Sequence, residues 1–163
     1  MKKQNIATFD DEYLKALGQV VINFNALDAA VCFVIWNLLE VKEQKLGQLV
    51  TAKLTFDFKT KILRDLIVNL TNFGKDFDPL YSRLQNAGEG RNDLSHSFWA
   101  INETTKKELL KTIKINTRKG FQSNEPYNFS KAVEEVSLNS LRSFINELNV
   151  LAIDLMNYFG RLR

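Results

Sequence analysis

The segment DEYLKALGQVVINFNALDAAVCFVIWNLL, from Asp11 to Leu39, decides the fold that the sequence predicts. Its apolar residues recur at steps of three and four, the period of an amphipathic helix with one face in a core. These residues are Leu14, Leu17, Val21, Phe24, Val31, Ile35 and Leu38. A second apolar row widens the face, and it consists of Val20, Leu27 and Val34. We therefore expect a long central helix over this segment.

One acid, Asp28, interrupts this apolar face between Phe24 and Val31. A carboxylate on a core face is costly unless a hydrogen-bond donor or a positive charge pairs with it. Two interpretations stay open. Asp28 is either a structural acid that hydrogen-bonds a helix terminus, or an acid that pairs with a basic group of a functional site.

Length and composition are those of one ordinary globular domain, over residues 1–163, with 45% apolar and 25% charged residues. The single cysteine, Cys32, rules out an internal disulfide and a multi-cysteine metal site. The two N-terminal lysines precede no apolar segment, and four polar residues interrupt Val20–Leu39. We therefore expect neither a secretory leader nor a membrane span, and a cytoplasmic protein. A net charge of +3 permits a polyanionic partner without requiring one.

The other periodic segments complete a mainly α fold. Further helices are predicted over Lys42–Ala52, Asp57–Asn72, Pro79–Ala87 (with Asp78 as N-cap) and Ser137–Phe159. NFGKDFDP, residues 72–79, is predicted to be a loop up to that N-cap, and Gly88 and Gly90 are expected to weaken or kink the helix that they follow. Alternating residues after the motif region predict a β-hairpin over about 98–118, with Asn102 to Lys107 in its loop. The expected architecture is an antiparallel bundle of four to five helices, with this small hairpin before the last helix.

The stretch GEGRNDLSHSFW, from Gly88 to Trp99, contains the only histidine of the chain, His96. Within it, Arg91-Asn92-Asp93-Leu94-Ser95-His96 resembles the signature of HEPN domains, in which an arginine and a polar residue precede a histidine at this spacing. The resemblance implies an all-helical, usually dimeric bundle. Many such domains are metal-independent ribonucleases, so the resemblance also implies that Arg91 and His96 are a catalytic pair.

These residue types suit RNA cleavage through the substrate's own 2′-hydroxyl. A base must take the hydroxyl proton and an acid must protonate the leaving oxygen, and imidazole suits both tasks with a reference pKa of about 6.5. A guanidinium stabilises the extra negative charge of the transition state through bidentate hydrogen bonds. The amide of Asn92 is expected to orient His96 or the phosphate.

One chain supplies only one imidazole, which favours a composite site at the two-fold axis of a homodimer. The chain departs from one branch of the family, in which a partner enzyme modifies a tyrosine two residues after the histidine. Phe98 stands at that position and has no hydroxyl to modify, so regulation of that kind is not expected here.

Several further residues are candidates near the motif. Asp28, Asp93 and Ser95 are candidate supporting residues: Asp28 as a partner of Arg91 or of another basic group, Asp93 and Ser95 otherwise as helix caps. Six basic residues with one intervening acid are candidates for tracking RNA phosphates, or else form a solvated hairpin face. They are Lys106, Lys107, Lys111, Lys114, Arg118 and Lys119.

The sequence thus favours a metal-independent endoribonuclease, in a toxin or defence setting, and leaves room for an antitoxin or regulatory protein as partner. No glycine-rich phosphate loop, nucleophile elbow or His/Cys cluster indicates a cofactor or a metal. The first alternative is a non-catalytic HEPN-like module that dimerises and binds nucleotide, RNA or a protein partner. The second is a plain helical interaction domain in which the motif is coincidental.

Overall fold

The structure, a computed structural model, describes residues 10–71, 73–101, 109–112 and 133–162. Within these ranges the protein is mainly helical and forms a helical bundle, as the sequence predicts. The helices of these ranges are α1 (Asp11–Leu38), α2 (Gln44–Thr51), α3 (Phe56–Leu70), α4 (Gly74–His96) and α5 (Leu138–Arg161). The strands are β1 (Phe98–Ile101), β2 (Leu109–Thr112) and β3 (Val133–Val136).

Helix α1 is the central helix, as predicted. The Asp10 carboxylate accepts a hydrogen bond from the Glu12 amide and caps its first turn. Both predicted rows contribute to the core, whose fully buried members include Leu27, Val31 and Val34. Two residues of the predicted stripe do not: Leu14 is 50% exposed and Val21 is 46% exposed. They lie at the edge of the buried face, because the neighbouring helices cover only the side centred on Leu27.

Among the described helices, α1 alone has the length and apolar composition of a membrane-spanning segment. The core helix of a globular bundle meets the same two criteria. In this structure the buried face of α1 packs against α3, α4 and α5 in the main hydrophobic core.

The expected antiparallel arrangement is wrong for part of the bundle. An ion pair joins Glu12 to Arg142 near the beginnings of α1 and α5, and the rings of Phe33 and Phe159 meet near their ends. These two helices therefore run parallel. Helix α4 runs opposite to α5, because Gly90 lies against Phe144 at one end while residues near the start of α4 lie against the end of α5. Helix α4 therefore ends on the side of the bundle where α5 begins.

The predicted loop and helix start in the fourth helix are also wrong. Helix α4 begins at Gly74 and contains Pro79, so Asp78 is not an N-cap; its carboxylate pairs with Arg64 at 2.9 Å. Tertiary packing decides the start, because Phe77 is fully buried and its ring contacts those of Tyr81 and Tyr158. That burial outweighs the local loop signal of the glycine and the proline.

Helix α4 also continues through Gly88 and Gly90 as far as His96, where a weakened helix was expected. A Cβ atom on Gly88 would lie 2.9 Å from the Phe56 ring, and one on Gly90 would lie 3.0 Å from the Phe144 ring. The two glycines therefore allow α3 and α5 to approach α4 closely. They serve packing, and the motif lies on the last turns of a continuous helix.

The strands form a three-stranded antiparallel sheet in the order β1-β2-β3, and not the predicted two-stranded hairpin over about 98–118. The third strand, β3, ends at Val136, which is 8% exposed and packs with Tyr13, Ala16 and Leu141 in a second core cluster. This contact anchors the end of β3 to the bundle. The predicted loop from Asn102 to Lys107 lies outside the described residues.

Candidate functional site

A cleft of about 610 Å³ lies between α1, the beginning of α3 and the second half of α4. Helix α4 contributes the largest share of its lining, with Gln85, Gly88, Glu89, Arg91, Asn92 and His96. Helix α1 contributes Phe24, Asn25 and Asp28 on the opposite side. The structure therefore brings together the predicted catalytic residues Arg91, Asn92 and His96 with the predicted supporting acid Asp28.

Helical spacing explains how α4 presents this surface. Gln85, Glu89, Asn92 and His96 follow one another at steps of four, three and four, so they share one face of the helix. Arg91 lies about 140° around the helix from His96 and about 7.5 Å along its axis. It reaches the same cleft because its long side chain extends towards α1.

The Arg91 side chain is held by two contacts. Its guanidinium carbon lies 5.1 Å from the centre of the Phe24 ring, and Nη1 donates a hydrogen bond to Oδ1 of Asn92 at 3.1 Å. A cation over an aromatic face is attracted by the ring quadrupole. Among the described residues, no acid lies within ion-pair distance of Arg91, so its positive charge is available to a ligand in the cleft.

His96 is the last residue of α4, and its side chain is exposed. No described residue hydrogen-bonds its ring, and the residue lines the cleft. The backbone around it is well anchored. The Trp99 indole donates to the Leu94 carbonyl at 3.1 Å, and the Ser97 hydroxyl donates to the Asp93 carbonyl. These bonds satisfy carbonyls that the helix end leaves open.

Asp28 pairs with Lys59, whose Nζ lies 2.9 Å from Oδ1 and 2.7 Å from Oδ2. The Asp28 side chain is 30% exposed, and that of Lys59 is only 9% exposed. The structure agrees with the interpretation in which Asp28 pairs with a basic group. That basic group, Lys59, lines the same cleft as Arg91. The partner itself is Lys59 and not Arg91.

Sequence reasoning missed Lys59. Its signal was its spacing: Lys59, Leu63 and Ile67 follow at steps of four, and all three are buried on α3. A lysine in an apolar stripe requires an acid, just as Asp28 in its stripe requires a base. Noting both exceptions would have made the pair a candidate.

Gln85 is a second residue that sequence reasoning missed. Its amide donates to the hydroxyl of Thr60, which is fully buried and donates in turn to the Asp57 carbonyl at 2.9 Å. This chain of hydrogen bonds fixes α4 to the first turn of α3. It thereby sets the width of the cleft beside Lys59.

The remaining predicted residues lie elsewhere. Asp93 and Ser95 are exposed on α4 and do not line this cleft; Asp93 lies in a small groove beside Leu94 and Phe144. The backbone of Lys111 lies on β2. The other basic candidates, which lie outside the described residues, are Lys106, Lys107, Lys114, Arg118 and Lys119.

The acids of the cleft are partly compensated. Asp57 pairs with Lys61 at 2.7 Å, and Asp28 pairs with Lys59 at the same distance. Within the described ranges, no group of three or more His, Cys, Asp or Glu side chains lies close enough together to hold a metal ion. What the cleft offers is a guanidinium, an imidazole, side-chain amides, the Asp28–Lys59 ion pair and the carboxylates of Asp57 and Glu89. No protein-family model matches this chain, and no curated protein and no solved structure shows a significant similarity to it.

Proposed function

We propose that the protein is a metal-independent endoribonuclease of the kind that the resemblance to HEPN domains implies. The observation that carries this proposal is the position of Arg91 and His96 in one cleft, with no described acid neutralising the guanidinium. The cleft volume of about 610 Å³ falls within the usual range for ligand sites, roughly 300–1,000 Å³, and accommodates a nucleotide.

In the proposed reaction, the scissile phosphate lies against Arg91. An imidazole takes the proton of the substrate 2′-hydroxyl, and the 2′-oxygen attacks phosphorus. The P–O5′ bond breaks, a second imidazole protonates the leaving 5′-oxygen, and a 2′,3′-cyclic phosphate remains. The Arg91 fork stabilises the non-bridging oxygens, which carry the extra charge of the transition state.

The second imidazole is proposed to come from a second copy of the chain. Each chain has one histidine, and His96 is exposed at the mouth of the cleft. The face of α1 that carries Asp28 continues beyond the cleft, because residues seven positions apart lie on the same side of a helix. On this face lie Leu14 and Val21, which are both exposed. Such apolar surface beside a site is typical of a protein interface. We propose a homodimer that covers this surface and brings the two His96 side chains close together.

The non-catalytic alternative is supported by a different observation: no described residue orients the His96 ring. General bases are usually oriented by a hydrogen bond to a third group. A module that binds a nucleotide or RNA in the cleft needs Arg91 but no oriented imidazole. The cellular setting is part of the same proposal: a cytoplasmic toxin or defence protein with an antitoxin or regulatory partner.

The mechanism is tested by the ends of the products. We expect the purified protein to cut single-stranded RNA in EDTA and to leave 2′,3′-cyclic phosphate ends. The matched control substrate is the same oligonucleotide with 2′-deoxyribose at the cleaved position, which lacks the nucleophile and should stay intact. Cleavage of that control would exclude the 2′-hydroxyl mechanism, and binding without cleavage of either RNA would favour the non-catalytic module.

A further inference from the structure

The end of α4, which carries His96, is held differently from the ends of the other described helices. At the ends of α1, α2, α3 and α5, the amide of the C-cap residue donates a hydrogen bond back to a carbonyl of its helix. The C-cap residue of α4 is Ser97, whose backbone is extended and whose amide makes no such bond. Side chains bond the last carbonyls of α4 instead.

The two side-chain bonds at this end differ in what they connect. The Ser97 hydroxyl donates to the carbonyl of Asp93, four residues earlier, so it joins the helix end to itself. The Trp99 indole donates to the Leu94 carbonyl at 3.1 Å, and Trp99 belongs to β1. Its partly buried side chain packs in the second core cluster, which contains Tyr13. Of the two bonds, only that of Trp99 therefore connects the last turn of α4 to another part of the fold.

The Trp99 bond lies close to the histidine in the chain. Leu94 precedes His96 by two residues, which is about 3 Å along the helix axis. The His96 ring has no hydrogen-bond partner among the described residues, so its place relative to Arg91 depends on the backbone that carries it. The Arg91 side chain is held separately, by Phe24 and Asn92. Loss of order after Leu94 would thus move the imidazole and leave the guanidinium in place.

We propose that Trp99 is a positioning residue, which acts through the Leu94 carbonyl to hold His96 beside the phosphate that Arg91 binds. The inference rests on the proposed function for its effect on the rate, but not for its effect on the backbone. Trp99→Phe should lower kcat by about 10- to 100-fold, because misplacing a reacting group by about 1 Å can cost 10²-fold. KM should change less than about threefold, because Arg91 still binds the phosphate.

The matched control is Trp36→Phe, at the other of the two tryptophans. The Trp36 indole donates to the Thr51 hydroxyl at 3.3 Å, between α1 and α2, and Trp36 does not line the cleft. Both substitutions remove an indole N–H from a partly buried ring, so a general loss of stability is common to them. Trp36→Phe should keep the wild-type kcat. An equal loss of kcat in both variants would overturn the positioning role.

Hydrogen–deuterium exchange tests the positioning without any RNA. Trp99→Phe should speed exchange of the Ser95 and His96 amides, which lie in the last turn of α4, by about two- to tenfold, the equivalent of one net hydrogen bond. Trp36→Phe should leave these two amides unchanged. Incorporation of β-(3-benzothienyl)alanine at position 99 replaces the indole N–H by sulfur and keeps the ring shape. It should reproduce the effects of Trp99→Phe on exchange and on kcat.

The proposal and the proposed function fail separately. Unchanged exchange of the Ser95 and His96 amides in Trp99→Phe, or wild-type behaviour of the benzothienyl variant, would overturn the role of Trp99. A changed KM with an unchanged kcat would overturn it too, and would leave the ribonuclease. A wild-type protein that never cuts RNA would refute the ribonuclease, and amide exchange would still decide whether Trp99 holds the end of α4.

Discussion

The guanidinium of Arg91 lies 5.1 Å from the centre of the Phe24 ring, at the wall of the cleft that also contains His96. A second arginine has the same kind of ring contact away from the cleft: Arg64 lies 5.2 Å from the centre of the Tyr81 ring and also pairs with Asp78. Variants of Arg64 can therefore serve as controls for variants of Arg91. They show the effect of disturbing an arginine–ring contact outside the cleft.

We predict that Arg91→Lys is nearly as damaging to RNA cleavage as Arg91→Ala, with losses on the order of 10²-fold or more. Lysine keeps the charge but loses the planar fork that binds two phosphate oxygens at once. Single-turnover cleavage rates provide the measurement. Arg64→Lys is the matched control, since it perturbs the same kind of stacking, and it should cleave at the wild-type rate. A near wild-type rate in Arg91→Lys would reduce Arg91 to a point charge.

The Asp28–Lys59 pair should respond unequally to removal of its two partners. We predict that Asp28→Asn lowers the free energy of unfolding by about 1–3 kcal/mol, because it leaves the Lys59 ammonium buried without a counter-charge. Lys59→Met should be milder, since the Asp28 side chain is 30% exposed and its carboxylate can be hydrated. Urea denaturation measures both. The exposed pair provides the control: Lys61→Met, which breaks an ion pair with Asp57, should change stability by less than about 0.5 kcal/mol. Equal losses for the two partners of the buried pair would contradict the difference in burial.

Gly88 is predicted to resist replacement although it lies within a helix. Alanine is the better helix former by about 1 kcal/mol, but its Cβ would lie 2.9 Å from the Phe56 ring, and overpacking costs about 1–3 kcal/mol. Gly88→Ala should therefore destabilise the protein in thermal unfolding. Gly18→Ala on α1 should stabilise it by about 0.5–1 kcal/mol, because no atom lies within 4 Å of the new Cβ. If both alanine variants were stabilised alike, Phe56 would have to yield at no cost.

Sequence periodicity could predict the central helix and the mainly helical class, because burial of one face leaves a pattern that is local in sequence. It could not predict the helix directions, which depend on the long connections. In α4, local glycine and proline signals gave the wrong start and a false interruption, because contacts with Phe56, Phe144 and Tyr158 decide that helix. The strand β3 has only four residues, too few for a clear alternation.

The candidate site could likewise be predicted only where its signals are local in the sequence. The Arg91–His96 spacing is local, so the sequence could nominate these residues and Asn92. Asp28 could be recognised as an exception in its stripe. Its partner Lys59 lies 31 positions away, and nothing local connects the two. Only the packing of α1 against α3 brings them together, beside the face of α4 that contains the motif.

A composite site predicts both the assembly and a mixing effect. Light scattering at micromolar concentration should give about twice the chain mass of 18.8 kDa. If both imidazoles are needed, mixing and re-equilibrating equal amounts of wild-type and His96→Ala protein should leave about a quarter of the activity of all-wild-type protein, since only a quarter of the dimers have two histidines. A strictly monomeric protein that cleaves RNA, or half the activity after mixing, would show that one His96 suffices.

The central claim, that His96 performs the chemistry, is tested most directly by the cleavage rate of His96→Ala in EDTA. Loss of a general acid–base group lowers a rate by about 10²- to 10⁴-fold. We expect a loss of that size with an unchanged melting temperature, because the His96 side chain is exposed and no described residue hydrogen-bonds it. The matched control is Asn86→Ala, an exposed polar residue of α4 that does not line the cleft, which should cleave at the wild-type rate. A His96→Ala protein that cleaves as fast as this control would contradict the catalytic assignment.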